Sequence, residues 1–109
     1  MSKNKQIIVI GGGFAGMSAA AYLVKYGYSV KLLEKNTTLG GRCRAIEEQG
    51  FKFDLGPSWY WMPDVFEKFF NDFNHTTKDF YNNILLNPGF EMVFDNQEKL
   101  TVPADIKEL

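Results

Sequence analysis

Gly11, Gly13 and Gly16 follow the apolar run Ile7-Ile8-Val9-Ile10, and a carboxylate, Glu34, closes the next apolar run. These residue types at this spacing suit the binding of a diphosphate-bridged dinucleotide. Gly11 permits a tight turn off a strand. Gly13 lets the backbone approach a pyrophosphate, where any Cβ would occupy the space. Gly16 lets a helix close down on the strand. Gly12 falls at a variable place of the G-x-G-x-x-G spacing. The helix N-terminus offers N–H groups and roughly half a positive charge to the diphosphate. Glu34 can accept hydrogen bonds from both hydroxyls of an adenosine ribose and would repel a 2′-phosphate, which disfavours NADP. Lys35, beside it, softens that repulsion.

FAD and NAD share this fingerprint. A second glycine pair, in Leu39-Gly40-Gly41-Arg42, separates them in favour of FAD. Paired glycines again allow close backbone approach, and Arg42 can bring a charged donor to phosphate or ribose.

The elements around these residues read as strand, helix, strand. Gln6 to Ile10 suits a strand buried on both faces of a parallel sheet. Phe14 to Tyr26 is rich in Ala, Met and Leu and predicts a helix with a small-residue face, stopped by Gly27. Tyr28 to Leu33 predicts the second strand, completing one βαβ unit. Residues 36–49 read as a loop with one short turn. Phe51 to Leu55 alternates like a strand, and Gly56-Pro57-Ser58 marks a turn. Val65, Phe66, Phe69, Phe70 and Phe73 form one stripe of a helix over 63–73. His75 to Asn83 reads as a polar loop. Leu85–Asn87, Phe90–Phe94 and Leu100–Val102 predict antiparallel strands, the last two joined by a turn at Asp95 to Glu98. Pro103 to Leu109 reads as the start of a helix, which points to a piece of a longer protein.

Composition narrows the function. The chain has 109 residues, 45% hydrophobic and 23% charged, with a net charge of -1. That balance is globular and lacks the basic footprint of a nucleic-acid binder. The single Cys43 excludes an internal disulfide framework and fits a reducing, cytoplasmic setting. No secretory leader or membrane span is visible, so the glycosylation-like triplets at Asn36 and Asn74 read as chance.

Three stretches, "GGGFAGMSAAAYL", "LLEKNTTLGGRCR" and "GFKFDLGPSWYWMP", together resemble the N-terminus of the bacterial-type phytoene desaturases. These form the carotenoid-desaturase branch of the amine-oxidase-like flavoproteins. Ser58 stands where many relatives have Thr, which keeps the hydroxyl. The resemblance implies a Rossmann-like FAD-binding βαβ unit over 1–62, followed by the start of an α+β substrate domain over 63–109. It implies removal of hydrogens from C–C single bonds of a lipid-soluble polyene, with FAD as acceptor and peripheral contact with a membrane. It assigns Gly11, Gly13, Phe14, Ala15 and Gly16 to the pyrophosphate and Glu34 to the adenosine ribose. Gly41 and Arg42 fall on the pyrophosphate or ribityl side, and Gly56, Pro57 and Ser58 near the isoalloxazine. Polyene isomerisation, retinoid saturation, amine oxidation and a non-catalytic dinucleotide-binding module stay open as alternatives.

Other residues have two readings. Trp59, Tyr60 and Trp61 suit either a tunnel for a polyene or ordinary packing between domains. The Phe stripe of residues 65–73 reads as core-facing, since the opposite face lacks the Lys and Arg that anionic lipid rewards. Asp54 suits a hydrogen bond near a flavin or a turn cap. Cys43 reads as a small packing residue and His75 as a solvated loop residue with no metal constellation around it. No nucleophile or general base stands out, as expected where the cofactor carries the chemistry.

Overall fold

The structure is a computed structural model that describes residues 5–57, 59–105 and 107. The chain divides into two units, Met1–Trp61 and Met62–Leu109. The first is built on β1 (Gln6–Ile10), α1 (Phe14–Lys25) and β2 (Ser29–Leu33). Strands β1 and β2 are parallel, with Ile7 opposite Val30 and Val9 opposite Leu32. Two parallel strands require a crossover, and α1 is that crossover. It ends where Gly27, at φ +87°, donates its N–H to Val24 O at 2.8 Å. A positive φ at that point suits glycine, which bears no Cβ.

Only one face of the β1–β2 sheet is covered. Ile7, Val9, Val30 and Leu32 are half-buried on one face, whereas Ile8, Ile10 and Leu33 stand 55%, 84% and 41% exposed on the other. The expectation of a strand buried on both faces is therefore not met among the described residues. The physical reason is simple: this unit supplies a single helix to lie on the sheet, and a helix covers one side.

An antiparallel hairpin follows, β3 (Ala45–Glu48) with β4 (Phe51–Asp54). The expected loop over 36–49 thus holds a strand, preceded by a 3₁₀ turn at Gly41–Cys43. Ala-Ile-Glu-Glu carries one large apolar residue and gives little alternation to read. The hairpin is set by its turn, where Gln49 and Gly50 both take positive φ (50° and 82°), as a primed two-residue turn demands.

The second unit starts with α2 (Pro63–Asp72). Pro opens the helix where its missing N–H costs nothing. Phe70 of its apolar stripe meets the loop that follows. Phe70 stacks on Phe80 at 4.7 Å between ring centres and meets Tyr81 edge-on at 6.1 Å. Glu67 ties the same loop to the helix: its Oε2 accepts from the Thr77 hydroxyl at 2.6 Å and the Thr77 N–H at 3.1 Å. Thr77 begins a short 3₁₀ turn, Thr77–Asp79, inside what reads as loop. The unit closes with the antiparallel pair β5 (Phe90–Val93) and β6 (Lys99–Val102), turned at Asp95 to Glu98 as expected. Leu85–Asn87 forms no strand. Ile84, Leu85 and Leu86 are 82%, 83% and 66% exposed, and no strand among the described residues takes up their N–H and C=O groups in a ladder. Pro103, Ala104 and Asp105 are not helical. The rest of the expected C-terminal helix, apart from Lys107, lies outside the described residues.

Candidate functional site

All the glycines singled out above, with Glu34, lie in the first unit, where three loops meet at the C-terminal ends of β1 and β2. The first loop leaves β1 at Gly11, whose N–H donates to Leu33 O at 2.7 Å and whose φ is +104°. That φ is strained for any residue with a Cβ, so the tight turn is a glycine property. Gly13 then caps α1 with extended backbone and no side-chain hydrogen bond. The first N–H groups of a helix find no carbonyl within the helix, so this end is electropositive and open to an anion. Phe14 and Ala15 form the first turn and are exposed.

Gly16 holds the helix against the turn. A Cβ there would be driven into the carbonyl oxygen of Gly11 and would lie 3.6 Å from Val9 Cγ1. The close helix-to-strand packing read from the spacing is thus observed.

Gly12, at the variable place of the motif, is held by its neighbours. It is buried, and a Cβ on it would run into Leu39 Cδ2 and stand 3.2 Å from Glu34 Oε2. Its N–H donates to Glu34 Oε2 at 2.6 Å, and its carbonyl accepts from Gly40 N–H at 2.8 Å. The middle glycine therefore joins the first loop to the second. The spacing rule describes what the ligand needs, whereas Gly12 answers to the chain's own packing.

The second loop runs from Glu34 to Arg44. Glu34 is half-buried at the end of β2, and its two carboxylate oxygens are held separately. Oε1 accepts from the backbone N–H of Asn36 at 2.9 Å and from its side-chain amide at 2.6 Å. The Asn36 backbone N–H first, then that of Gly12, favours the charged form and draws the carboxyl below its ordinary pKa. Lys35 and Arg42 are exposed. Further along, Gly41 lies against Gly13: a Cβ on Gly41 would stand 3.1 Å from Gly13 Cα. The two glycine motifs, apart in the chain, form one side-chain-free surface beside the N-terminus of α1.

The third loop is the turn after β4. Leu55 N–H donates to Arg44 O at 2.9 Å, and a Cβ on Gly56 would be driven into the Arg42 carbonyl oxygen. Gly56 and Pro57 are thereby brought to the second loop, while Ser58 lies outside the described residues. Asn36 and Gly12 are the site residues that spacing alone did not disclose. The available signals were the unbroken Gly-Gly-Gly and an amide two residues after the acid.

The remaining candidates have the following surroundings. Trp59 and Trp61 stack at 6.5 Å, 60% and 65% exposed. Cys43 is exposed rather than packed. His75 sits 3.3 Å from Asp79 Oδ2 and edge-on to Phe80. Among the described residues no group of His, Cys, Asp and Glu could hold a metal ion, and no helix is long and apolar enough to cross a membrane.

This arrangement suits a dinucleotide: a surface without side chains, an uncapped helix N-terminus for a diphosphate, and a charged carboxylate for a sugar. Residues 9–76 match the family described as the NAD(P)-binding Rossmann-like domain. The chain belongs to that family. It is also similar to the carotenoid 3,4-desaturase of Haloarcula japonica, 46% identical over 106 residues, covering 97% of this chain and 21% of that protein. Similarity to a 4,4'-diapophytoene desaturase of Staphylococcus aureus is 38% over 104 residues, covering 95% of this chain and 21% of the relative. The resemblance to carotenoid desaturases is thereby borne out, and the chain spans about a fifth of the length of these curated relatives. Among solved structures, a fatty acid isomerase from P. acnes shares the fold, with a TM-score of 0.60 and 22% identity over 93% of this chain and 23% of that one.

Proposed function

We propose that this chain is the cofactor-binding segment of an FAD-dependent desaturase acting on a carotenoid precursor such as phytoene. The observation that carries the reading is the contact of the two glycine motifs beside the α1 N-terminus, with Glu34 held charged at their junction. The names of the relatives supply the substrate class.

Under this reading the N–H groups of Gly13, Phe14 and Ala15 face the pyrophosphate, with Gly11 shaping the turn and Gly16 seating the helix. Glu34 takes the adenosine ribose, with Lys35 next to it. Gly41 and Arg42 lie along the pyrophosphate or ribityl chain, and Arg42 adds a charge-assisted donor. Gly56 and Pro57, with Ser58, border the isoalloxazine. FAD, when bound, supplies the electron acceptor for the hydrogens leaving the C–C bond. The unit Met1–Trp61 is then the N-terminal part of the FAD-binding domain, and Met62–Leu109 opens the substrate-binding domain. The enzyme is cytoplasmic and touches the membrane peripherally to reach a lipid-soluble polyene.

The test is purification of the full-length protein and a flavin spectrum, followed by incubation with phytoene in liposomes. New absorption bands in the visible are expected as conjugation lengthens. Bound yellow flavin with a colourless product would reject the desaturase while leaving a flavoprotein. Absence of flavin after reconstitution would reject both.

A further inference from the structure

Gly56 does not take the left-handed φ that favours glycine, so its missing side chain answers to space. A Cβ there would be driven into the carbonyl oxygen of Arg42, and it would stand 3.2 Å from Arg42 C and 3.5 Å from Cys43 Cα. The obstacle is backbone, so no rotamer change removes it. Nor is the turn after β4 free to draw back. Asp54 pairs with Ala45 in the hairpin, and Leu55 N–H donates to Arg44 O at 2.9 Å. The start of the same stretch rests on the first loop. Gly40 N–H donates to Gly12 O at 2.8 Å, and a Cβ on Gly41 would stand 3.1 Å from Gly13 Cα. Residues 40–44 therefore connect the turn at Gly56 to Gly13, the cap of α1.

We propose that Gly56 is a positioning residue for the cofactor diphosphate: the close seat of its backbone on the Arg42 carbonyl keeps Gly41 against Gly13 at the N-terminus of α1. This rests on the reading that the α1 N-terminus binds the diphosphate. It gives Gly56 a role besides the place of its turn beside the isoalloxazine. Gly56 acts through Arg42 and Gly41 and needs no contact with the diphosphate. Gly56→Ala pushes the Arg42 carbonyl and loosens the seat of Gly41. Glu34 is held by Gly12 and Asn36, outside the displaced stretch, so the ribose end keeps its grip.

The experiment measures affinity of the full-length apoprotein for FAD by quenching of flavin fluorescence, and for ADP and adenosine by competition with FAD. G56A is expected to weaken FAD and ADP alike, by about tenfold, and to leave adenosine unchanged. G41A disturbs the same path from its other end and should also weaken ADP rather than adenosine. The double variant G41A/G56A should lose less than the two single losses combined. G50A strains the far turn of the same hairpin with open space around its Cβ, and should keep the parent's ratio of ADP to adenosine affinity. A loss for FAD with ADP unchanged places Gly56 at the isoalloxazine alone and overturns the proposal. Equal losses for ADP and adenosine, or a G56A protein that does not fold, assign Gly56 to the fold and overturn it. So does a G50A ratio that falls as far as that of G56A. Independent losses in the double variant overturn the path through Gly41, and the proposal with it. A parent that binds ADP no better than adenosine would instead remove the diphosphate reading on which the proposal stands.

Discussion

Gly16→Ala should destabilise the protein, although Ala is the better helix former. In an open helix position the exchange gains about 1 kcal/mol. Here the new Cβ would be driven into Gly11 O and would sit 3.0 Å from Gly11 C, where ordinary contact begins at 3.4 Å. The obstacle is backbone, so no rotamer change relieves it. Gly11 is itself held, with its N–H on Leu33 O at 2.7 Å. Either α1 lifts off β1 or the turn twists. Overpacking of this kind costs about 1–3 kcal/mol, and a backbone obstacle puts it near the top of that range. Setting about 3 against the gain of about 1 leaves roughly 2 kcal/mol of destabilisation. Thermal unfolding of the full-length apoprotein should show a drop of several degrees. Cofactor affinity should fall as well, since the displaced turn carries Gly11 and Gly13. A melting temperature equal to or above that of the parent would refute the close helix-to-turn packing.

Further outcomes are expected elsewhere. Because Glu34 has a folded-state pKa below its ordinary 4.5, its charged form stabilises the site above that value, and the contribution is lost as pH falls through the lowered folded pKa. Glu34→Gln should flatten that acid limb, measured as apoprotein unfolding against pH; an unchanged limb would exclude Glu34 as its source. Gly56→Ala should disturb the site more than Gly50→Ala, since its Cβ meets the Arg42 carbonyl, while Gly50 has open space and only its φ of +82° to strain; paired melting curves decide. In thermal unfolding, Glu67→Ala should lower stability more than Thr77→Val and the double variant little more than Glu67→Ala, because Glu67 takes both the hydroxyl and the N–H of Thr77 and Thr77→Val removes only the hydroxyl. The 109-residue chain by itself should bind FAD weakly, since no hydrophobic side chain among its described residues is buried; tight stoichiometric quenching of flavin fluorescence would contradict this.

The βαβ unit was legible because its signals are local. An Ile-Val run, glycines at set intervals, a small-residue helix and a closing Glu each state their place within a few residues. The α2 stripe and the β5–β6 hairpin were readable for the same reason. Strand β3 was not, since Ala45 to Glu48 has almost no alternation and takes its conformation from the Gln49-Gly50 turn and from pairing with Phe51–Asp54. Leu85–Asn87 failed in the opposite way: apolar residues suggest a strand, but a strand exists only where a partner lies alongside, and none does among the described residues.

The sequence by itself determined the chemistry of the candidate site, because backbone approach and carboxylate recognition depend on which residue types are present and which side chains are missing. Only the tertiary structure decided how those pieces meet. Gly12 and Asn36 hold Glu34 from two loops, and Gly41 comes to rest on Gly13. Such contacts depend on the paths of segments many residues apart, which no local pattern encodes.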